Sequence, residues 1–122
     1  MAKRVEFLFI ALAASDETRH IVGKEVIEAL RSEGMVINIS QASNIDENTF
    51  IGTLLGGRLG STAQDNFESE PELDPCFLKR DNALFQLHRT GDTTVCRKTM
   101  GKLVQNNLTA YFTDDSLLAP VL

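Results

Sequence analysis

The chain has 122 residues, enough for one domain with its own core and no metal or disulfide staples. Hydrophobic residues make up 43% and charged residues 24%, a globular balance that excludes a disordered or fibrous chain. A net charge of -5 argues against nucleic acid as the main ligand, and no stretch reaches the ~20 apolar residues of a membrane span.

Lys3-Arg4 followed by apolar residues to Ala14 imitates a secretory signal. Glu6 adjoins the run, however, and the run is short for an export signal, so a buried strand in a cytoplasmic protein is expected. Val5, Phe7, Phe9 and Ala11 would line one face of that strand, and Leu8, Ile10 and Leu12 the other. Apolar residues on both faces predict a central strand covered on both sides. Ser15 is the predicted cap of a following helix whose buried stripe is Val22, Val26, Ile27 and Leu30, with Gly34 as its left-handed stop. A strand over 35–40 follows. Asp46 then caps a short helix carrying Phe50, Ile51, Leu54 and Leu55, ended by Gly56-Gly57. From Arg58 to Pro75 periodicity is lost, which predicts a long loop. A third strand over 83–88 leads to a helix from Asp92 to Asn107 with Cys96, Met100, Leu103 and Val104 as its stripe. Alternation of Leu108, Ala110 and Phe112 with polar or amphipathic residues predicts a last strand over 108–113. An apolar tail occupies 116–122.

Two β-α-β units around an insertion at 41–82 predict a single domain over 1–122 with an α/β (α+β) sandwich of ferredoxin-like topology. Such a sandwich leaves one sheet face open, to be covered by the insertion, the tail or a second subunit. The alternative is a small three-layer α/β fold with a parallel sheet, in which the insertion helix is a further crossover.

No constellation commits the chain to a reaction. His20, Cys76, His88 and Cys96 are spaced too widely for a zinc site, so no metal is expected. Cys96 lies beside Arg97 near a helix start, but Asp92 opposes a lowered thiol pKa and the cysteine falls on the apolar stripe. The two cysteines are expected as thiols in a reducing compartment. The run from Gly56 to Thr62 is rich in glycine, yet it lacks the lysine and the preceding strand of a phosphate loop, so it reads as a hinge. No cofactor is predicted.

Charge is segregated. Asp46, Glu47, Asp65, Glu68, Glu70, Glu72 and Asp74 face only Arg58 in 41–75, whereas Lys79, Arg80, Arg89, Arg97, Lys98 and Lys102 outnumber Asp81 and Asp92 in 76–102. Opposed charge of this kind steers docking. The first functional expectation is therefore a non-enzymatic interaction or assembly subunit, homo-oligomeric or bound to a partner protein. Glu68, Glu70, Glu72, Leu117, Leu118, Val121 and Leu122 would form its interface. The alternative is a regulatory domain holding a small anionic ligand with Arg89, Arg97, Lys98 and Lys102. A second alternative is a small enzyme without a recognisable motif.

Overall fold

The computed structural model describes residues 2–73 and 75–120. The chain divides into two compact units, 1–88 and 89–122. The first is built on four strands: β1 (Phe7–Ile10), β2 (Met35–Asn38), β3 (Ser61–Gln64) and β4 (Ala83–Phe85). All neighbours pair in parallel, in the order β1-β2-β3-β4. Helix α1 (Lys24–Ala29) joins β1 to β2, and α2 (Glu47–Leu55) joins β2 to β3. This is an α/β fold with a parallel sheet. It departs from the ferredoxin-like expectation, whose sheet is antiparallel, and matches the alternative in which the 47–55 helix is a crossover.

The register explains which side chains are covered. Leu8, Val36, Thr62 and Ala83 form one row across the sheet, and Ile10, Asn38, Gln64 and Phe85 form the next row on the same face. That face meets a single core cluster that includes Ile27, Leu30, Phe50, Leu54 and Leu59. Phe9, Ile37, Ala63 and Leu84 form a row on the opposite face, where Phe9 is 63% and Leu84 65% exposed. The first strand is thus covered on one face only. Among the described residues it pairs with β2 alone, which corrects the expectation of a central strand flanked on both sides. Apolar composition on both faces was a true property of the residues. The second cover was an inference from it.

Three local differences have identifiable causes. Ser15 and Thr18 exchange hydrogen bonds within a turn, and His20 takes a left-handed φ of 51°. Val22 is then drawn into a bridge with Ile45, so α1 begins only after Gly23. Gly34 is not the left-handed residue; Arg31 is, at φ 66°. Gly34 and Gly60 are needed instead where chains cross closely: Gly60 and Ser61 both donate to Gly34 O, and a Cβ on Gly60 would lie 2.6 Å from Ser32 O. The expected loop of 58–75 contains β3, whose sequence Ser61-Thr62-Ala63-Gln64 is too polar to read as a strand until the register buries Thr62 and Gln64.

Helix α2 follows its sequence signals closely. Asp46 accepts from Thr49 N (3.2 Å) and Thr49 Oγ1 (2.6 Å), which holds its carboxyl below the ordinary range. At the other end Gly57 has φ 67°, with Gly57 N donating to Leu54 O and Arg58 N to Thr53 O, a Schellman stop.

The second unit contains α3 (Thr94–Phe112), a single helix. Thr93 caps it by accepting from Cys96 N at 3.1 Å. The predicted strand over 108–113 is the last part of this helix. No breaker separates Asn107 from Leu108, and the i→i-4 ladder continues to Thr113 N donating to Thr109 O. None of the residues of α3 is buried.

Candidate active site

In an open parallel sheet, ligands meet the crevice outside the carboxyl ends of the strands. Hydrogen bonding carries the four strands' continuations to that edge. Ile39 N donates to Ile10 O, Asp65 N to Asn38 O and His88 N to Asp65 O. The edge is polar but buried: Asn38, Asn44, Asp65 and Asn66 are each at most 5% exposed. Buried polar groups of this kind are informative because they must be satisfied. Asn38 Nδ2 donates to Gln41 O and to Asn66 Oδ1, while its Oδ1 accepts from Ser40 N and Ser40 Oγ. Asn66 Nδ2 donates to Ser40 O, and Asn44 Nδ2 to Leu12 O and Ser40 Oγ. The turn after β2 is thereby fixed to the end of β3, with Gln41 exposed upon it.

Beside this network lies an acid-base pair. His88 Nδ1 donates to Glu70 Oε2 at 3.0 Å. Glu70 Oε1 accepts from Phe67 N at 3.0 Å, so the carboxylate is anchored to its own turn before it meets the imidazole. The hydrogen bond and charge of Glu70 raise His88 above its ordinary 6.5, with a smaller contribution from Asp65. The same hydrogen bond lowers Glu70 against the opposing effect of burial. His88 is held at φ 52°, a left-handed conformation that non-glycine residues rarely adopt outside constrained sites. Committing Nδ1 to a carboxylate orients the ring and leaves Nε2 as the nitrogen that can give or take a proton. Among the described residues no group of three or more His, Cys, Asp or Glu side chains could hold a metal.

The residues singled out from sequence are distributed as follows. Glu70 belongs to the pair with His88. Glu68 Oε1 lies 3.7 Å from Arg19 and 3.5 Å from His20, and its backbone N donates to Glu47 Oε2. Glu72 N donates to Ser69 O. In the second unit Arg89 and Arg97 both pair with Asp92, and Lys98 and Lys102 lie exposed on α3. Leu117 and Leu118 are 41% and 65% exposed, whereas Val121 and Leu122 lie outside the described residues, as does Asp74. In the sequence His88 stands out only as a candidate metal ligand. Eighteen positions separate it from Glu70, and only the pairing of β3 with β4 brings the two together.

Residues 1–90 match the family of D-isomer specific 2-hydroxyacid dehydrogenases, NAD binding domain. The chain belongs to this family. It is 37% identical over 122 residues to a glyoxylate/hydroxypyruvate reductase A of Arabidopsis thaliana and 32% identical to a 2-ketogluconate reductase of Gluconobacter oxydans, covering 100% of this chain in each case. It spans 39% of the length of those relatives. Among solved structures, a 2-hydroxyacid dehydrogenase from Ketogulonicigenium vulgare superposes with a TM-score of 0.83 at 56% identity, covering 99% of this chain and 38% of the other. An NADPH-dependent glyoxylate/hydroxypyruvate reductase from Sinorhizobium meliloti, solved with NADP and malonate, gives 0.88 at 30% identity, covering 98% and 38%.

Membership in a 2-hydroxyacid dehydrogenase family makes the parallel sheet part of a Rossmann-type domain. It also overturns the expectation of a non-enzymatic assembly subunit, since this is an enzyme family with a cofactor-binding domain. The misreading has a physical source: the chain carries none of the glycine spacing by which dinucleotide folds are recognised, G-x-G-x-x-G. What remained visible was exposed apolar surface and segregated charge, which any docking protein also shows. Among the described residues no helix is long and apolar enough to cross a membrane.

Proposed function

We propose that this chain is the acid-base half of an NAD(P)-dependent reductase of 2-oxo acids, with His88 as proton donor and Glu70 as its positioning carboxylate. The observation that carries the reading is the His88–Glu70 pair at the carboxyl edge of a parallel sheet. Names of relatives such as glyoxylate/hydroxypyruvate reductase support the reaction class. They do not choose among acids, because others are called 2-ketogluconate and hydroxyphenylpyruvate reductases.

The residues of the edge fit the nicotinamide end of a dinucleotide, which needs hydrogen-bonding partners rather than a phosphate cradle. Gln41 and Asp65, after β2 and β3, are the groups of this chain that would hold it. When bound, the reduced ring supplies the hydride for the substrate's carbonyl carbon. His88 Nε2–H gives the matching proton to the carbonyl oxygen, so that 2-oxo acid, hydride and proton become the 2-hydroxy acid and a neutral imidazole. Glu70 steadies the imidazolium before transfer and fixes the tautomer after it. The raised His88 pKa extends to higher pH the range over which the donor carries its proton.

The test is reduction of glyoxylate, hydroxypyruvate and larger 2-oxo acids by the full-length protein with NADH and with NADPH. His88→Asn is expected to lower kcat/KM by ~10²–10⁴-fold, the ordinary worth of a positioned acid. Failure of every 2-oxo acid with both cofactors overturns the reading. Within the same proposal the protein works in the cytoplasm as a homo-oligomer, to which exposed Leu117 and Leu118 contribute apolar surface. Arg89, Arg97, Lys98 and Lys102 remain, within their own unit, proposed contacts for a small anionic ligand. Sedimentation of a chain truncated before Leu117 tests the oligomer.

A further inference from the structure

We propose that the cavity beside the His88–Glu70 pair receives the substrate's side chain, and that this side chain is apolar: a branched aliphatic or aromatic 2-oxo acid rather than glyoxylate or a polyhydroxylated acid. The inference rests on the reductase reading and adds the substituent to it. The cavity measures about 230 Å³ and is lined by Phe67, Glu70, Pro71, Leu73, Leu87 and His88. Ligand sites for whole metabolites or cofactors run to ~300–1,000 Å³, so this one suits a part of a ligand. An apolar cavity of ~150 Å³ takes a benzene ring, so a phenyl or isobutyl group has room here.

The chemistry of the walls decides the class. Phe67, Pro71, Leu73 and Leu87 offer no side-chain hydrogen bond, and a hydroxylated chain placed against them would give up water without replacement. The two polar walls are the acid-base pair, and both oxygens of Glu70 already accept, one from Phe67 N and one from His88 Nδ1. Packing makes the floor rigid. Phe67 is 7% exposed and lies 5.9 Å from Phe77 and 5.4 Å from Phe85, ring centre to ring centre. The rim is the opposite case. Leu87, directly before His88, is 80% exposed, and an apolar substituent entering the cavity would remove some of that surface from water. His88 is itself a wall of this cavity, and this adjacency is what assigns the cavity to the substituent of a carbonyl held at the imidazole.

The experiment compares kcat/KM of the full-length protein for phenylpyruvate, 4-methyl-2-oxopentanoate and glyoxylate, in wild type and in Leu73→Ser and Leu87→Ser. Leucine 87 is exposed enough that its replacement does not threaten the fold. Both apolar acids are expected to exceed glyoxylate by at least ~10-fold, the discrimination that one or two buried methylenes supply. Each variant is expected to lower kcat/KM for phenylpyruvate at least ~5-fold more than for glyoxylate, through KM. In parallel, 3-phenylpropanoate is titrated against methyl-labelled protein, with acetate as control. Shifts at Leu73 and Leu87 with the phenyl acid alone support the cavity whether or not any acid is reduced, so a failed reductase reading shows itself separately. A wild-type preference for glyoxylate, equal losses for all acids, or unmoved methyls overturns the proposal.

Discussion

The 1–88 unit and helix α3 both carry apolar residues at structural spacing, and they treat them in opposite ways. In the first unit Ile27, Leu30, Phe50 and Leu54 come from two helices and the C-cap of the first, meet β1 and β2 residues Ile10 and Val36, and are each at most 3% exposed. In α3, Val95, Met100, Val104, Leu108 and Phe112 are between 54% and 80% exposed. Periodicity identifies residues that can share a face. Whether anything lies against that face is decided by partners the period does not name.

Core truncation should separate the two regions most strongly. Leu54→Ala is expected to cost ~2–5 kcal/mol, as buried leucines generally do. Leu108→Ala in α3 should cost less than about 0.5 kcal/mol, as exposed substitutions do. Urea denaturation of both variants measures this. Equal costs would mean that the α3 stripe is buried in the working protein and would dissolve the contrast.

Glycine replacement sharpens it with opposite signs. At Gly60 a Cβ would stand 2.6 Å from Ser32 O and 3.0 Å from Gly34 O, both backbone atoms that cannot swing away. Gly60→Ala should therefore destabilise by ~1–3 kcal/mol. At Gly101 a Cβ meets nothing within 4 Å, so Gly101→Ala should stabilise α3 by up to ~1 kcal/mol. Thermal melts of the pair give the signs directly, and a destabilising Gly101→Ala would show that α3 is packed more closely than its exposure implies.

At their caps the regions should agree. Asp46→Ala and Thr93→Ala each remove an oxygen that accepts from the third residue of the helix, at 3.2 Å and 3.1 Å. Each should lose about 1 kcal/mol. A loss confined to Asp46 would mean that α3 contributes nothing to the cooperative unit.

The smallest effect is the pH dependence of the His88–Glu70 pair, whose side chains are 50% and 37% exposed and thus well screened. The raised His88 pKa gives stabilisation that is complete below 6.5 and lost as pH rises through the raised value. The lowered Glu70 pKa gives stabilisation present above 4.5 and lost as pH falls through the lowered value. Both are present in full between those two pH values. Imidazole titration by NMR should place His88 above 6.5 in wild type and lower in Glu70→Gln. The alkaline limb of the reduction rate should move down with it. A titration unchanged by Glu70→Gln would break the pair as a functional unit.

Short-range features were legible in the residues themselves. The Asp46 cap, the stripe of Phe50 and Leu54 and the Gly57 stop depend on neighbours within five positions, and α2 forms where they predict it. Features resting on longer range misled. The alternation of Leu108, Ala110 and Phe112 fits a strand as well as the turns of a continuing helix, and only the unbroken ladder from Thr94 chose between them. Ser61-Thr62-Ala63-Gln64 carries little β signal, and its place between β2 and β4 made it a strand.

The sequence by itself determined the globular class, the short helix after Asp46 with its caps, and a first strand apolar on both faces, because each follows from local propensity or composition. The tertiary structure decided the parallel order, the edge position of β1 among the described residues and the meeting of Glu70 with His88. Those depend on which strands pair and in what register. Pairing is a competition among distant segments, and no single segment records its outcome.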